Sequence, residues 1–425
     1  MTPSLQIPQT GPAPGPSGWL PYRWEMLIWL WFAFFFNQAD RQVFGSVLPL
    51  IKADLHITDV QAGLIASVFT AALAITVPFA GYVGDVFNRA RIVTISLFGW
   101  SLATLLSGFG SSLGYLIAIR SVATGAGEAF YAPAANALIA EHHAETRARA
   151  LSIHQTSLYA GVIASGLVSG LIADRFGWRA AFWAFGSAGI ILAVFVGIRL
   201  RTAAPRAAAN VRPPSPRLTE VFSVLRRPTV MLLATAWGCM VFVNIGYMTW
   251  MPTYLHEQFG LNLANAGYSS MVYHHVGAFA GVIVGGILSD RLAVSHPQRR
   301  LFLQGAALFA GAPFIWMLGT QSGPGVLFAA LAGFGLFRGV YDAGIYASLF
   351  EVIEPRLRAT ALGFIIALVY LFGAIAPVLL GALKGQFGLS FSFSLLALVY
   401  VTGGIAATMA GGIFFARDQR LAIRL

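Results

Sequence analysis

The sequence predicts an all-α polytopic membrane protein whose twelve transmembrane helices form two six-helix pseudo-repeats. Three observations carry that expectation: an extreme apolar composition, twelve apolar runs of spanning length, and motifs that recur at offsets of 203 to 211 residues. Of 425 residues, 57% are hydrophobic and 10% charged, against roughly 45–50% apolar and about 25% charged in ordinary soluble domains. Those ratios exclude a soluble enzyme with a polar shell and a disordered chain. The formal charge of +11 does not point to nucleic acid either. Its 27 basic residues are 25 Arg and 2 Lys, scattered singly between apolar runs rather than gathered in a stripe. The single Cys239 lies in an apolar run and permits no intrachain disulfide.

Residues 1–22 contain six prolines and no charged side chain, which predicts a flexible leader rather than a signal peptide with its basic start and apolar stretch. A helix needs about 20 apolar residues to cross a ~30 Å hydrocarbon layer. Such runs fall at approximately 26–50, 60–83, 92–110, 113–139, 148–173 and 179–199. After a break they resume at approximately 229–254, 264–288, 301–319, 324–349, 358–381 and 390–415. Continuous runs of this kind exclude a porin-like barrel, whose strands alternate over about ten residues. The break, 200–228, sets Pro205, Pro213, Pro214 and Pro216 among arginines and predicts a solvated linker, with Arg217 to Arg226 as a short amphipathic surface helix. The expected organisation is therefore a bundle over 23–199, a linker over 200–228, a second bundle over 229–416 and a tail over 417–425.

Basic residues set the orientation. With both termini cytoplasmic, four lie in far-side loops (Lys52, Arg175, Arg179, Lys384) and three inside spans (Arg41, Arg120, Arg338), which leaves 20 on the cytoplasmic side. The repeat is visible in the same rows. Pro49 and Pro252 end the first span of each half at an offset of 203, and Gly84-Asp85 answers Ser289-Asp290 at 205. Arg147-Ala-Arg-Ala-Leu151 answers Arg358-Ala-Thr-Ala-Leu362 at 211, as Phe176-Gly177 answers Phe387-Gly388. Parallel repeats about an axis along the membrane normal place a substrate between the halves near mid-membrane.

Between spans 2 and 3 runs Gly81-Tyr-Val-Gly-Asp85-Val-Phe-Asn-Arg89-Ala-Arg91, and Asp290-Arg291 is its shorter echo. This segment resembles the loop 2–3 signature of the major facilitator superfamily. The resemblance implies that Gly81, Asp85, Arg89, Arg91, Asp290 and Arg291 form a cytoplasmic gate that latches the halves and favours the outward-facing state. The competing reading is a solvated turn with positive-inside arginines.

Six formal charges lie within spans: Asp40, Arg41, Arg120, Glu128, Arg338 and Asp342. Each costs at least about 2.5–3.5 kcal/mol on insertion scales, so such residues usually line an aqueous cavity or pair internally. Three of each sign sum to zero, as a paired cluster would. Arg338 and Asp342, four apart on one helical face, form a structural pair. Arg120 and Glu128, eight apart, are separated by about 12 Å along a helix and must meet groups on other helices.

Asn37-Gln-Ala-Asp40-Arg41, and Arg120-Ser-Val-Ala-Thr-Gly125-Ala-Gly127-Glu128-Ala-Phe-Tyr-Ala-Pro133, resemble the span 1 and span 4 patterns of spinster-like transporters and the related organic-anion symporters. The likeness covers most of the first half; the second shares only the superfamily plan. It implies proton coupling at Asp40 and Glu128, with Arg41 and Arg120 holding the network or an anionic head group. A purely structural salt-bridge set is the alternative. In span 5, Leu167 and Leu171 replace the proline and last glycine of the superfamily's antiporter motif, so export by antiport is not indicated. Asn37, and in the second half Asn244, Tyr247 and Arg338, complete the candidate substrate contacts. His154, Gln155, Tyr273, His274 and His275 are weaker cavity candidates. The adjacent histidines diverge by ~100° and make a poor metal pair.

No phosphate-binding loop, nucleophile–base pair or metal cluster stands out, so neither a cofactor nor enzymatic activity is expected. The expected protein is a monomeric, proton-driven carrier of a bacterial inner membrane. Its expected partners are the lipid bilayer, protons and a small-molecule or lipid-like substrate, an organic anion or a charged-head amphiphile. Uniport with structural carboxylates, or a membrane enzyme acting on lipid, are the competing functions.

Overall fold

The computed structural model describes residues 21–200, 218–294, 296–320 and 323–423. Most of the expected leader and linker, and the last two residues of the expected tail, lie outside the described residues. Helices dominate, and they order into twelve traverses. The first three are Tyr22–Leu55, Asp59–Val86 and Arg89–Ser107. Thr58 opens the second with a reciprocal cap: its hydroxyl accepts from Gln61 N at 3.2 Å, and its own N–H donates to Gln61 Oε1 at 2.9 Å. The fourth is built of Leu113–Leu116, a π-helical stretch Ile117–Ala123, Thr124–Ala129 and Tyr131–His142. Arg147–Phe176 and Trp178–Arg199 complete the first half.

Leu218–Leu225 is a short helix before the second half, where the sequence predicts an amphipathic one. Then come Pro228–Phe259, Leu263–Ala293 and Arg299–Thr320 as spans 7 to 9, and Pro324–Asp342 with Ile345–Phe350 as span 10. Span 11 is Arg358–Gly373 continued by the first turns of Ile375–Met409, which reverses at Gly388 into span 12. Gly388 has φ 78° and Gly177 has φ 81°, a region open to glycine at little cost. They stand 211 residues apart and make the same turn in the two halves.

Among the described residues, nine helical segments are long and apolar enough to cross a membrane. Span 1 falls below that mark because Asn37, Gln38, Asp40, Arg41 and Gln42 interrupt its apolar run, and span 4 because Arg120, Glu128 and the glycines between them lower its hydropathy; spans 11 and 12 are counted as one. The outer surface presents apolar side chains such as Phe79, Ile95, Phe195, Ile198, Val276 and Ile283.

The halves meet along two symmetry-related seams, at the end of the bundle opposite the chain ends. Glycines permit contact at backbone distance: Gly166 lies against Gly267 and Gly170 against Ala264 between spans 5 and 8. Between spans 2 and 11, Gly63 lies against Pro377 and Gly381 against Asp59. Asp174 seals the first seam by accepting from Leu263 N at 3.2 Å and Ala264 N at 3.1 Å, the free amides of a helix start. Ser67 Oγ accepts from Val378 N at 3.2 Å in the second. Beside it a four-charge cluster joins the halves. Lys384 pairs with Asp59 at 3.1 Å and Glu257 at 2.7 Å, while Lys52 contacts Asp59 and reaches Glu257 at 3.8 Å.

Candidate functional site

Because the seams close only one end, the halves enclose a cavity of about 470 Å³ behind them. Its first-half wall includes Gln38, Arg41, Gln42, Phe69, Arg120, Gln155 and Tyr159. Its second-half wall includes Trp237, Asn244, Met248, His275, Arg338, Asp342, Tyr346 and Tyr370. A further hollow lined by Asn136, Ala140, Arg147 and Leu151 shares Gln155 with it and extends toward the chain ends.

The first-half network is built on spans 1, 3 and 4. Arg41 Nε donates to Glu128 Oε2 at 2.5 Å. Arg120 is buried, and its Nη2 donates at 3.2 Å to the carbonyls of both Asp40 and Arg41. The π-helical stretch Ile117–Ala123 carries Arg120, and such widened turns commonly re-aim functional side chains. Its guanidinium also sits 4.7 Å from the Phe69 ring centre and 5.9 Å from Phe44, a cation–π setting. Asp40 is fully buried and accepts from Thr104 Oγ1 at 3.4 Å. Among the described residues, Asp40 Oδ1, Glu128 Oε1, and Arg120 Nε and Nη1 have no hydrogen-bond partner. The network is thus connected but unsaturated, a costly arrangement for buried polar atoms. Arg120 and Glu128 do not pair with each other; each meets span 1 instead.

In the second half, Arg338 Nη2 lies 3.5 Å from Asp342 Oδ2 and Arg338 Nη1 is 3.1 Å from His274 Nε2. Asn244 faces the cavity, whereas Tyr247 is buried with its hydroxyl on the Ser270 carbonyl. Asn37 is likewise off the cavity wall; its Oδ1 accepts from Gln38 Nε2 at 2.9 Å. His154 is buried off the wall too, stacked on Phe34 at 4.7 Å and 3.0 Å from the Tyr131 hydroxyl. Tyr273 stacks on Phe328, while Gln155 and His275 line the cavity.

In the motif between spans 2 and 3, Gly81 and Asp85 lie in the last turns of span 2, and Asn88 caps span 3. The expected Asp85 side-chain contacts lie outside the described residues. Arg89 donates to Gly84 O at 3.3 Å and pairs with Glu141. In the echo, Arg300 gathers Ser289 at 2.8 Å, Asp290 at 3.7 Å and Glu351 at 3.6 Å. Glu141 and Glu351 stand 210 apart, so the two clusters are repeats of each other. These bonds stay within one half. Arg91 and Arg291 are exposed.

Reading only formal charges missed Gln38, Gln42 and Tyr159 on the wall and Asp174 at the seam. The two glutamines, four apart and flanking Asp40 and Arg41, were a legible signal. Asp174 was not, because its partners are main-chain amides of another half. Among the described residues, no three His, Cys, Asp or Glu side chains converge as a metal site.

Two six-helix repeats around a shared charged cavity, sealed at one end, define the class as a membrane carrier. The sequence profile of the Major Facilitator Superfamily matches residues 30–337. The chain belongs to that superfamily and is an integral membrane transporter. It is 26% identical over 400 residues to the hexuronate transporter of Bacillus subtilis (strain 168), covering 90% of this chain and 91% of the relative. It is 26% identical over 442 residues to protein spinster homolog 1 of Xenopus tropicalis, covering 93% and 82%. A solved bacterial homolog of the human lysosomal transporter Spinster, in an inward-facing and unoccupied conformation, superposes with a TM-score of 0.76 at 22% identity, covering 96% and 99% of the two chains.

If the seams move as parts of rigid halves, loosening one opens both. Lys384→Glu sets three carboxylates around Lys52 and is expected to raise labelling of Ala264→Cys, on the other seam, about fivefold. Maleimide kinetics in a Cys239→Ser background measure it; an unchanged rate contradicts rigid coupling.

Proposed function

We propose that the protein couples the proton gradient to transport of an organic anion or charged-head amphiphile by alternating access. Both chain ends lie in the cytoplasm of a bacterium, and the sealed seams face outward across the inner membrane. The observation that carries this reading is the Arg41–Glu128 pair at 2.5 Å beside buried Asp40 and Arg120, at the wall of a cavity between two halves. A carboxylate that trades an arginine partner for water as the cavity changes sides binds a proton differently in the two states, and only differential affinity drives coupling.

Arg41, Arg120, Arg338 and Asn244 supply the substrate contacts, and a guanidinium fork suits a carboxylate or phosphate. The named relatives include a hexuronate transporter, which favours an anionic substrate. The Gly81–Arg91 segment and its echo act as the cytoplasmic latch, whose bonds run within each half while the cavity opens inward. Uniport, with the carboxylates purely structural, is the reading that the coupling experiment below decides against or for. A lipid-modifying enzyme is disfavoured, since the dense polar cluster lies between the halves rather than at an interface.

Thermal stabilisation by D-glucuronate and by lysophosphatidylglycerol tests the substrate class, because a ligand stabilises the state it binds. Arg120→Lys keeps the charge but loses the fork, and is expected to weaken anion binding by about tenfold. Equal stabilisation of wild type by D-glucose, with Arg120→Lys binding normally, contradicts the anion reading.

A further inference from the structure

The repeat sets the two halves side by side. Asn244 stands 203 residues after Arg41, and Arg338 stands 210 after Glu128, both within the range of offsets that relates the motifs. Where the first half closes an ion pair between spans 1 and 4, the corresponding positions of the second half hold a neutral amide and a guanidinium, both on the cavity wall. Arg338 has no counter-charge from span 7.

Its partners are of another kind. Asp342, one turn along the same helix, stays at 3.5 Å. His274 Nε2 lies at 3.1 Å. A guanidinium only donates, so Nε2 accepts, the ring is neutral in this contact, and its proton sits on Nδ1, which is buried without a partner. The imidazole is clamped between the rings of Tyr247 at 4.8 Å and Phe334 at 4.5 Å. Gly335, lacking a Cβ, lets span 10 lie directly on the His274 carbonyl.

His274 fixes the guanidinium through a neutral acceptor and adds no second counter-charge to the one that Asp342 supplies from the same helix. A carboxylate in the same place would close Arg338 as Glu128 closes Arg41. Among the described residues, Arg338 Nε and Asn244 Oδ1 have no partner, and both residues line the cavity. We propose that Arg338 is an anion-binding position on the second-half wall and that His274 is its positioning residue. The proposal rests on the organic-anion reading above and deepens it: the substrate's carboxylate is gripped from the half that lacks the coupling carboxylates.

The test is equilibrium binding of radiolabelled D-glucuronate to the purified full chain. His274→Leu removes the acceptor and is expected to weaken binding about tenfold, while His274→Gln, which returns an acceptor near the Nε2 position, stays within about twofold of wild type. Arg338→Lys is expected to lose about as much as His274→Leu, and the double variant no more than either alone, since residues acting as a unit are not additive. A merely structural histidine would not be rescued by glutamine or show that coupling. Should His274→Leu fail to fold, His274→Phe, which keeps a ring between Tyr247 and Phe334 but offers no acceptor, carries the test with the same expected loss. Wild-type affinity in Arg338→Lys or His274→Leu overturns this inference while leaving the anion reading standing. A wild-type protein that binds neither D-glucuronate nor lysophosphatidylglycerol overturns both.

Discussion

Proteoliposomes carrying Glu128→Gln and Asp40→Asn together are expected to lose gradient-driven substrate accumulation while counterflow without a gradient partly persists. A one-unit pH gradient coupled to one proton supports about tenfold accumulation, and the double variant should fall to about onefold. Burial opposes charge on a carboxylate and a neighbouring arginine favours it, so the balance shifts when either contact changes. Glu128 rests on a single bond to Arg41, with Oε1 unpartnered, and Asp40 on a 3.4 Å contact from Thr104, with Oδ1 unpartnered. Such loosely held groups can change partner between states. Glutamine and asparagine keep the shape and remove the proton site. Asp342→Asn is expected to cost stability more than coupling, because its arginine lies one turn away on the same helix and travels with it. Wild-type accumulation in the double variant would instead make the carboxylates structural and the protein a uniporter.

Gly166→Leu is expected to drive the protein toward the state in which the sealed end is open. Gly166 and Gly267 meet backbone to backbone, so any side chain at 166 must push spans 5 and 8 apart. Overpacking costs about 1–3 kcal/mol, which falls only on the closed seam and shifts a two-state equilibrium about 5–150-fold. The informative reporter is Ser67→Cys, buried on the other seam between spans 2 and 11. Its maleimide labelling should rise by that factor if the halves move as bodies, and stay unchanged if the leucine is absorbed locally.

The fold was legible because its signals are local or periodic. The twelve runs follow from bilayer thickness, and the repeat is carried by identical turn chemistry, as Gly177 and Gly388 demonstrate. The site was legible to the extent that charge is expensive in hydrocarbon: Arg41, Arg120, Arg338 and Asp342 all line the cavity, and Glu128 meets Arg41. What the chain did not disclose depends on three-dimensional pairing. Asn37 stands three residues before Asp40 and Tyr247 three after Asn244, yet both turn away from the cavity into packing. Single-span periodicity cannot separate those faces when nearly every neighbour is apolar. The π-helical turn at Arg120 and the His274 clamp on Arg338 arise from neighbouring helices and leave no signature in spacing.

In a proton-coupled carrier, substrate and protons cross the membrane together. Wild-type protein in liposomes loaded with a pH-sensitive dye should change luminal pH when D-glucuronate is added outside, and Glu128→Gln liposomes should not. Uptake of labelled D-glucuronate by wild type with no accompanying proton movement would contradict the account.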